Sequence, residues 1–430
     1  MRHIGFLAIA LACGGANAAT YVVDSTADTC TLADRCLRRA VALANADAAT
    51  DTIVFDIPGD PAQPRRIVLG SELKITQPVV IDGYTQPGSS ANTLGEGTNA
   101  QIRIVIDAGG GDRHALYVTR GPTEIRGVSL VNSATGSGLY IDREAAEVNL
   151  RGSFVGVEPD GVTAKPNRWG VTVAGEFNVI GGTTATDRNL VSGNTWSGVL
   201  LYGERSIRNA VVGNLIGTDR NAAPVLGNGW DGVQVTNARL SRIGGYSRAL
   251  QNVIAGNGKG GVYLISNTPP GIEYLEVVSR IYGNGVNYAA VESDCSLTND
   301  PGDADAGANE CLNHPTIERA TVVNGELVIE GAFDSAPNRP GRVALYGNTR
   351  ACTSPRGGET GHFLGYADIA TDAGGHAPLR FVTSEVAPGY SSVTAIAGVG
   401  QEDLFVDATS RVSPCVAVAY ADRIFANGFQ

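Results

Sequence analysis

The chain has 430 residues, too many for one ordinary compact domain, and 56 of them are glycine. Charged residues make up only 17%, which excludes a disordered chain. A formal net charge of −11 without any basic block excludes nucleic acid as a partner. No apolar run beyond the N-terminus is long enough to make the protein membrane-spanning.

Residues 1–18 read as a secretory signal. Arg2 and His3 form a short basic start, Ile4–Ala12 an apolar stretch, and Ala16-Asn17-Ala18 an A-x-A cleavage site. The expected location is therefore outside the cytoplasm: secreted, attached to the cell surface or outer membrane, or periplasmic. Six cysteines remain after cleavage, an even number suited to disulfides in an exported chain. Pairing of nearest neighbours gives Cys30–Cys36, Cys295–Cys311 and Cys352–Cys415.

Residues 19–52 form an N-terminal cap. Within "CTLADRCLRRAVALANAD", Thr31 and Asp34 have capping-box spacing, and Leu37, Ala40, Val41 and Ala44 follow a helical period. The amphipathic helix stands just before a β-rich region and is expected to cover its open hydrophobic end.

From 53 to 294 the chain consists of short β-runs between Gly and Asn. "GLYI" (138), "GVTV" (170), "GVLL" (198), "GVQV" (232) and "GVYL" (261) begin 32, 28, 34 and 29 residues apart. With "NVIGG" and "NLVSGN" types between them, this makes three strands per repeat, the pattern of a parallel β-helix. Ile180 and Ile243, Asn189 and Asn252, and Asn194 and Asn257 are each 63 residues apart, so coils of two kinds alternate. Coils stack at roughly 4.8 Å, which places equivalent residues in columns. Asn194, Asn228 and Asn257 precede the strand-opening glycines by four residues and are expected to form an amide ladder. The glycines are expected to provide freedom for the bend.

An acidic junction, 295–315, leads into residues 316–416. There, strands of ordinary length such as "TIERATVVNGELVIEGAF" predict a small Ig-like β-sandwich. Residues 417–430 are left as a tail.

"CTLADRCLRRAVALANA" resembles the CSLREA domain at the start of many exported bacterial β-helix proteins. "NVIGGTTATDRNLVSGN", "GNLIGTDRNAAPVLGNGWDGV" and "NDPGDADAGANECLNHP" resemble the repeat and junction motifs of the same group. "CLRRA" stands where the group has Leu-Arg-Glu-Ala, and its closing Thr-Ser-Glu-Phe is missing from the C-terminal domain. The resemblance implies export and an all-β fold: a right-handed parallel β-helix of pectate-lyase-like type, with a short cap helix and a small C-terminal sandwich. It does not imply a reaction.

Three groups of residues carry candidate chemistry. Counting back three positions from the inward Val199, Val233 and Val262 reaches Trp196, Trp230 and Lys259, all of outward parity. With Tyr263 and the other outward tyrosines, Tyr140 and Tyr202, they are candidates for an aromatic face that binds extracellular polysaccharide. The alternative is packing of these rings over neighbouring loops. Asp300, Asp303, Asp305 and Asn309 offer hard oxygen ligands around Gly307, so Ca²⁺ is the one cofactor considered, against a solvated acidic linker. Glu158 and Asp219 occupy matching places two coils apart, about 10 Å, near the upper limit for an inverting glycosidase pair. Turn-capping carboxylates are the competing reading. Lys259 and Arg220 are the available bases for a polysaccharide lyase. A binding protein and a lyase or glycoside hydrolase working in a groove along the coils both stay open, and the oligomeric state is not indicated.

Overall fold

The computed structural model describes residues 17–31, 35–265, 275–289, 298–305, 308–350, 358–386, 389–400 and 408–421. Residues 1–16 of the expected signal (1–18) and 422–430 of the expected tail (417–430) lie outside the described residues, as do Asp34, Cys295, Gly307 and Cys352.

Three all-parallel sheets of nine, eight and eight strands run the length of the region to residue 289. Each coil gives one strand to each sheet in turn. Val148–Arg151 lies in the first, Phe154–Val155 in the second and Trp169–Val173 in the third, after which the path repeats. This is the parallel β-helix that the three-strand repeat predicts. Val199, Val233 and Val262 pair in register and are fully buried inside the coil. The first sheet begins earlier than expected, because Thr20–Val23 pairs in parallel with Asp51–Phe55.

The alternation of two coil types has a simple origin. Corners from the first to the second sheet are short at 152–153, long at 182–189, short at 213–214 and long at 245–252. The next corner alternates in the opposite sense, long before residue 169 and short before residue 199.

Asparagine ladders knit the corners. Asn167 donates its amide to Asn194 Oδ1 at 3.1 Å. Asn194 donates to Asn228, Asn228 to Asn257 and Asn257 to Asn284, each at 2.9 Å. Two further ladders, Asn189–Asn214–Asn252 and Asn178–Asn209, occupy the other corners. The strand-opening glycines serve another purpose than the expected bend. A Cβ on Gly198 would lie 2.7 Å from Asn228 Nδ2 and 2.8 Å from the Gly232 carbonyl. The ladder leaves no room for a side chain there.

The cap helix is Leu37–Ala44, with Leu37, Ala40, Val41 and Ala44 buried against the first coils. Its N-cap is Cys36, so Thr31 lies too far upstream to cap it. Cys36 is disulfide-bonded to Cys30. Beyond the helix, Asn45 bonds Lys74 O and the Thr76 N–H, meeting the backbone at the first strand of the third sheet.

The C-terminal domain is the expected small β-domain, with two sheets joined through the shared strand Val416–Tyr420. Its strands form one continuous path in which 362–370, 340–348, 392–399, 416–420, 316–323, 326–334 and 376–383 are successive neighbours. The joined sheets roll over a core of Leu327, Ile329, Phe333, Val343, Leu345 and Val393. Val416–Tyr420 is a strand of this domain, which therefore extends past residue 416. Cys311 and Cys415 are also disulfide-bonded, and their expected partners lie outside the described residues. The domain closes the far end of the β-helix: Thr360 exchanges backbone bonds with Ile281, and Thr409 and Asn309 bond Leu275.

Candidate functional site

The third sheet carries an outward column in register: Lys74, Tyr117, Tyr140, Thr172, Leu200, Gln234 and Tyr263. A second column lies at the turn before these strands and is built from Arg168, Trp196, Trp230 and Lys259. Each of the last three donates its backbone N–H to the carbonyl of the residue before it in the column, at 2.7, 3.3 and 2.8 Å.

Trp196 and Trp230 lie one coil apart with outward, half-buried side chains, as their parity predicts. Their rings stack with centroids 4.3 Å apart and planes within 6° of parallel. The outer faces are occupied as well. Lys259 Nζ sits 3.5 Å from the Trp230 centroid, and the Arg168 guanidinium sits 4.0 Å from that of Trp196. Trp169 meets Trp196 edge-on. A sugar needs an open ring face to stack on, so the expected flat aromatic platform does not form along the column. The four side chains form a cation–indole–indole–cation stack instead.

At the Lys259 end of this stack the surface opens into a cavity of about 460 Å³. Trp230, Asp231, Gln234, Lys259 and Tyr263 line it. Lys259 makes no ion pair among the described residues. Asp231 is 4% exposed and accepts the Gly260 N–H at 2.8 Å. Burial raises its carboxyl above the usual range, against the opposing pull of that bond and of Lys259. Gln234 accepts a bond from Ser197. The recess thus combines an aromatic wall, an ammonium, an amide and a carboxyl held toward its neutral form. Arg168 and Asp231 were missed in the sequence. Counting back three from Val171 reaches Arg168, not Trp169, and Asp231 stands where the sister coils have Ser197 and Gly260.

A second aromatic group occupies the other end of the same face. His114 packs against Tyr140 at 4.5 Å, and Tyr117 meets Tyr140 edge-on. The Tyr117 hydroxyl donates to Asp142, with Lys74 over its ring. Burial, reinforced by that carboxylate, raises the Tyr117 hydroxyl. Tyr202 is an open ring on this face, 52% exposed.

The expected catalytic carboxylates are committed elsewhere. Glu158 pairs with Arg66, which also holds Asp107. Asp219 accepts the N–H groups of Asn221 and Ala223, capping its own turn. Arg220 donates to the carbonyls of Thr98, Asp160 and Ala100, clamping a loop. The turn-capping reading fits Asp219 but not Glu158, whose turn is capped by Asp160; Lys259 alone of the four catalytic candidates lines the cavity.

Asp300, Asp303 and Asp305 converge, with one oxygen from each within 4.8 Å of the others. Asn309 does not join them. It is buried, with Oδ1 accepting the Leu275 N–H and Nδ2 donating to the Leu275 and Thr409 carbonyls.

No family model, the CSLREA domain included, and no curated protein matches the chain. Among solved structures it is similar to an alginate lyase from Paenibacillus sp. str. FPU-7. The identity is 13% and the TM-score 0.26, over 64% of this chain and 98% of that one. Tailspike protein 2 of bacteriophage CBA120 is similar at 11% identity and a TM-score of 0.23, over 87% and 73% of the two chains. A tailspike protein gp49 from Acinetobacter baumannii bacteriophage Fri1, a capsular polysaccharide depolymerase, gives 9% and 0.18, over 86% and 68%. The fold assignment rests on the strand register described above.

Proposed function

We propose that the protein is exported and binds extracellular polysaccharide on the outer face of its third sheet. One observation carries this reading: the recess at the end of the Trp196–Trp230 stack, where Tyr263, Gln234 and Lys259 converge. Such a mixture of aromatic wall and few polar groups is typical of sites that orient a small polar ring. Lys259 selects for acidic sugars, because its ammonium lines the cavity and makes no ion pair among the described residues, while burial holds the nearby Asp231 toward its neutral form. The disulfides suit a chain outside the reducing cytoplasm, and among the described residues no helix is long and apolar enough to cross a membrane.

The test is affinity electrophoresis of the mature protein through gels containing acidic or neutral polysaccharides. Acidic glycans should retard it, and Lys259→Ala should remove that retardation. Equal mobility in every gel would reject the reading.

A second reading, cleavage of the bound chain, is favoured by Asp231. A carboxyl held toward its protonated form beside a lysine is a candidate general acid. Release of unsaturated or reducing ends, lost in Asp231→Asn, is its signature.

Ca²⁺ enters this reading as a structural ion at Asp300, Asp303 and Asp305. The fit rests on one atom: Asp300 Oδ1 is buried without a hydrogen-bond partner. Three carboxylates from one short loop supply the hard donors that Ca²⁺ prefers.

A further inference from the structure

The second sheet also presents an outward column: Phe154, Leu190, Leu215, Val253 and Arg280, in register across successive coils. The first members are apolar and are covered by the long excursion between the strands 79–82 and 104–107, with Ala100, Ile102 and Tyr84 packed against them. The column turns from apolar to cationic at Arg280. There the excursion ends its cover and the C-terminal domain begins, leaving a cleft of about 280 Å³ between them.

Arg188, Arg248, Arg280, Gln251, Glu96 and His362 line this cleft. Arg280 bonds Glu96, itself largely exposed, and the Gly361 carbonyl. Arg248 contacts Glu385 and the Phe363 carbonyl. Arg188 has no carboxylate partner among the described residues. It donates to the carbonyls of Leu94, Gly95 and Gly97, and more weakly to that of Gly213. Carbonyls satisfy its N–H groups but bring no net charge, and the acidic charge that acts on this half-buried cation, Glu96, is already paired with Arg280. Three guanidinium groups thus face two carboxylates in a chain whose net charge is −11. Gln251, 7% exposed, adds a polar wall beside Asn214, and its Oε1 is buried without a hydrogen-bond partner.

An anion would supply the missing charge to the arginines, and a hydroxyl beside it would satisfy Gln251. We propose that this cleft is a second binding site, taking a small oxyanion that carries a neighbouring hydroxyl, of the sugar-acid class. Because its walls come from the β-helix and the C-terminal domain, occupancy joins the two. The site stands on a different sheet from the Trp230 recess and does not depend on the reading of that recess.

Titration calorimetry of the mature protein with D-glucuronate, inorganic phosphate and D-glucose tests it. Glucuronate should bind saturably and glucose should not. Arg248→Gln should weaken glucuronate roughly tenfold, the scale of one charged hydrogen bond, and Arg248→Lys should restore part of the loss. Arg248 is exposed enough that its replacement leaves the fold intact, whereas Arg280→Gln also removes a packed contact and serves as the second variant. Phosphate binding alone, with the same dependence on Arg248, would overturn the sugar-acid assignment. Glucuronate binding unchanged in Arg248→Gln but lost in Lys259→Ala would overturn the cleft proposal and leave the recess as the sugar site.

Discussion

Asp231 stands one residue beyond Trp230 and reaches across to the next coil, where it accepts the Gly260 N–H at 2.8 Å. An asparagine oxygen accepts the same bond without bringing a charge into the recess. The folded-state pKa of Asp231 is raised, chiefly by burial, above the ordinary value of 3.8. Its contribution to stability is therefore fully present below that value and is lost as the pH rises through the raised one. Asp231→Asn should be at least as stable as the parent at pH 7. Urea unfolding at a series of pH values should show the difference between the two shrinking toward pH 3. A variant less stable than the parent at neutral pH would mean that the ionised carboxylate is stabilising.

The indole stack gives Trp230 a structural role besides its proposed place in the binding recess. Outward parity alone predicts little loss of stability on truncation, but Trp230→Ala removes a stacked ring and the seat of Lys259. The aromatic pair is worth about 0.5–1.5 kcal/mol and the cation contact about 0.5–1 kcal/mol. Denaturant unfolding should register a loss of about 1–2 kcal/mol, together with lost retention in acidic polysaccharide gels. Loss of stability with retention intact would assign the stack to the fold alone.

Asn228 has no exposed counterpart to take over its bonds. Its Oδ1 accepts the backbone and side-chain N–H groups of Asn194, while its amide donates to Val191 O and Asn257 Oδ1. Asn228→Ala leaves buried groups on two neighbouring coils unpaired, at about 1–3 kcal/mol each. A loss of several kcal/mol is expected, well beyond that of Trp230→Ala. Thermal unfolding of the two variants side by side checks the order.

Calcium should raise the melting temperature if Asp300, Asp303 and Asp305 hold it. At a hundredfold excess over its dissociation constant, a ligand specific for the folded state adds about 2.7 kcal/mol. Asp303→Asn should abolish the response to Ca²⁺ and to chelator alike. A melting curve indifferent to both in the parent protein leaves an acidic linker.

The β-helix was legible because its signal repeats: the inward valines, the ladder asparagines and the 63-residue period each recur in successive coils. Ladder positions filled once by a different residue were harder to see. Arg168 is hard to read from the sequence because a tryptophan, Trp169, stands one position away from the column. Asp231 is no easier, because nothing in one sequence distinguishes a buried carboxylate from a solvated one. Parity correctly turned Trp196 and Trp230 outward. It could not indicate that their faces would be occupied by each other, which depends on ring rotation about the side-chain bonds. The C-terminal strands were recognisable singly, but how their two sheets join is set by long-range pairing, such as that of 316–323 with 416–420.

The contacts at the two ends of the coil stack bear on how the protein behaves in company. A pile of parallel strands at fibre spacing is a template for its own extension, since each terminal coil offers unpaired backbone groups to any extended chain. Asn45 occupies such groups at Lys74 and Thr76, and Thr360 does the same at Ile281. Together the cap helix and the C-terminal domain act as stoppers against polymerisation. A chain truncated after residue 315 should keep its coils and lose its solubility, elongating end to end into filaments.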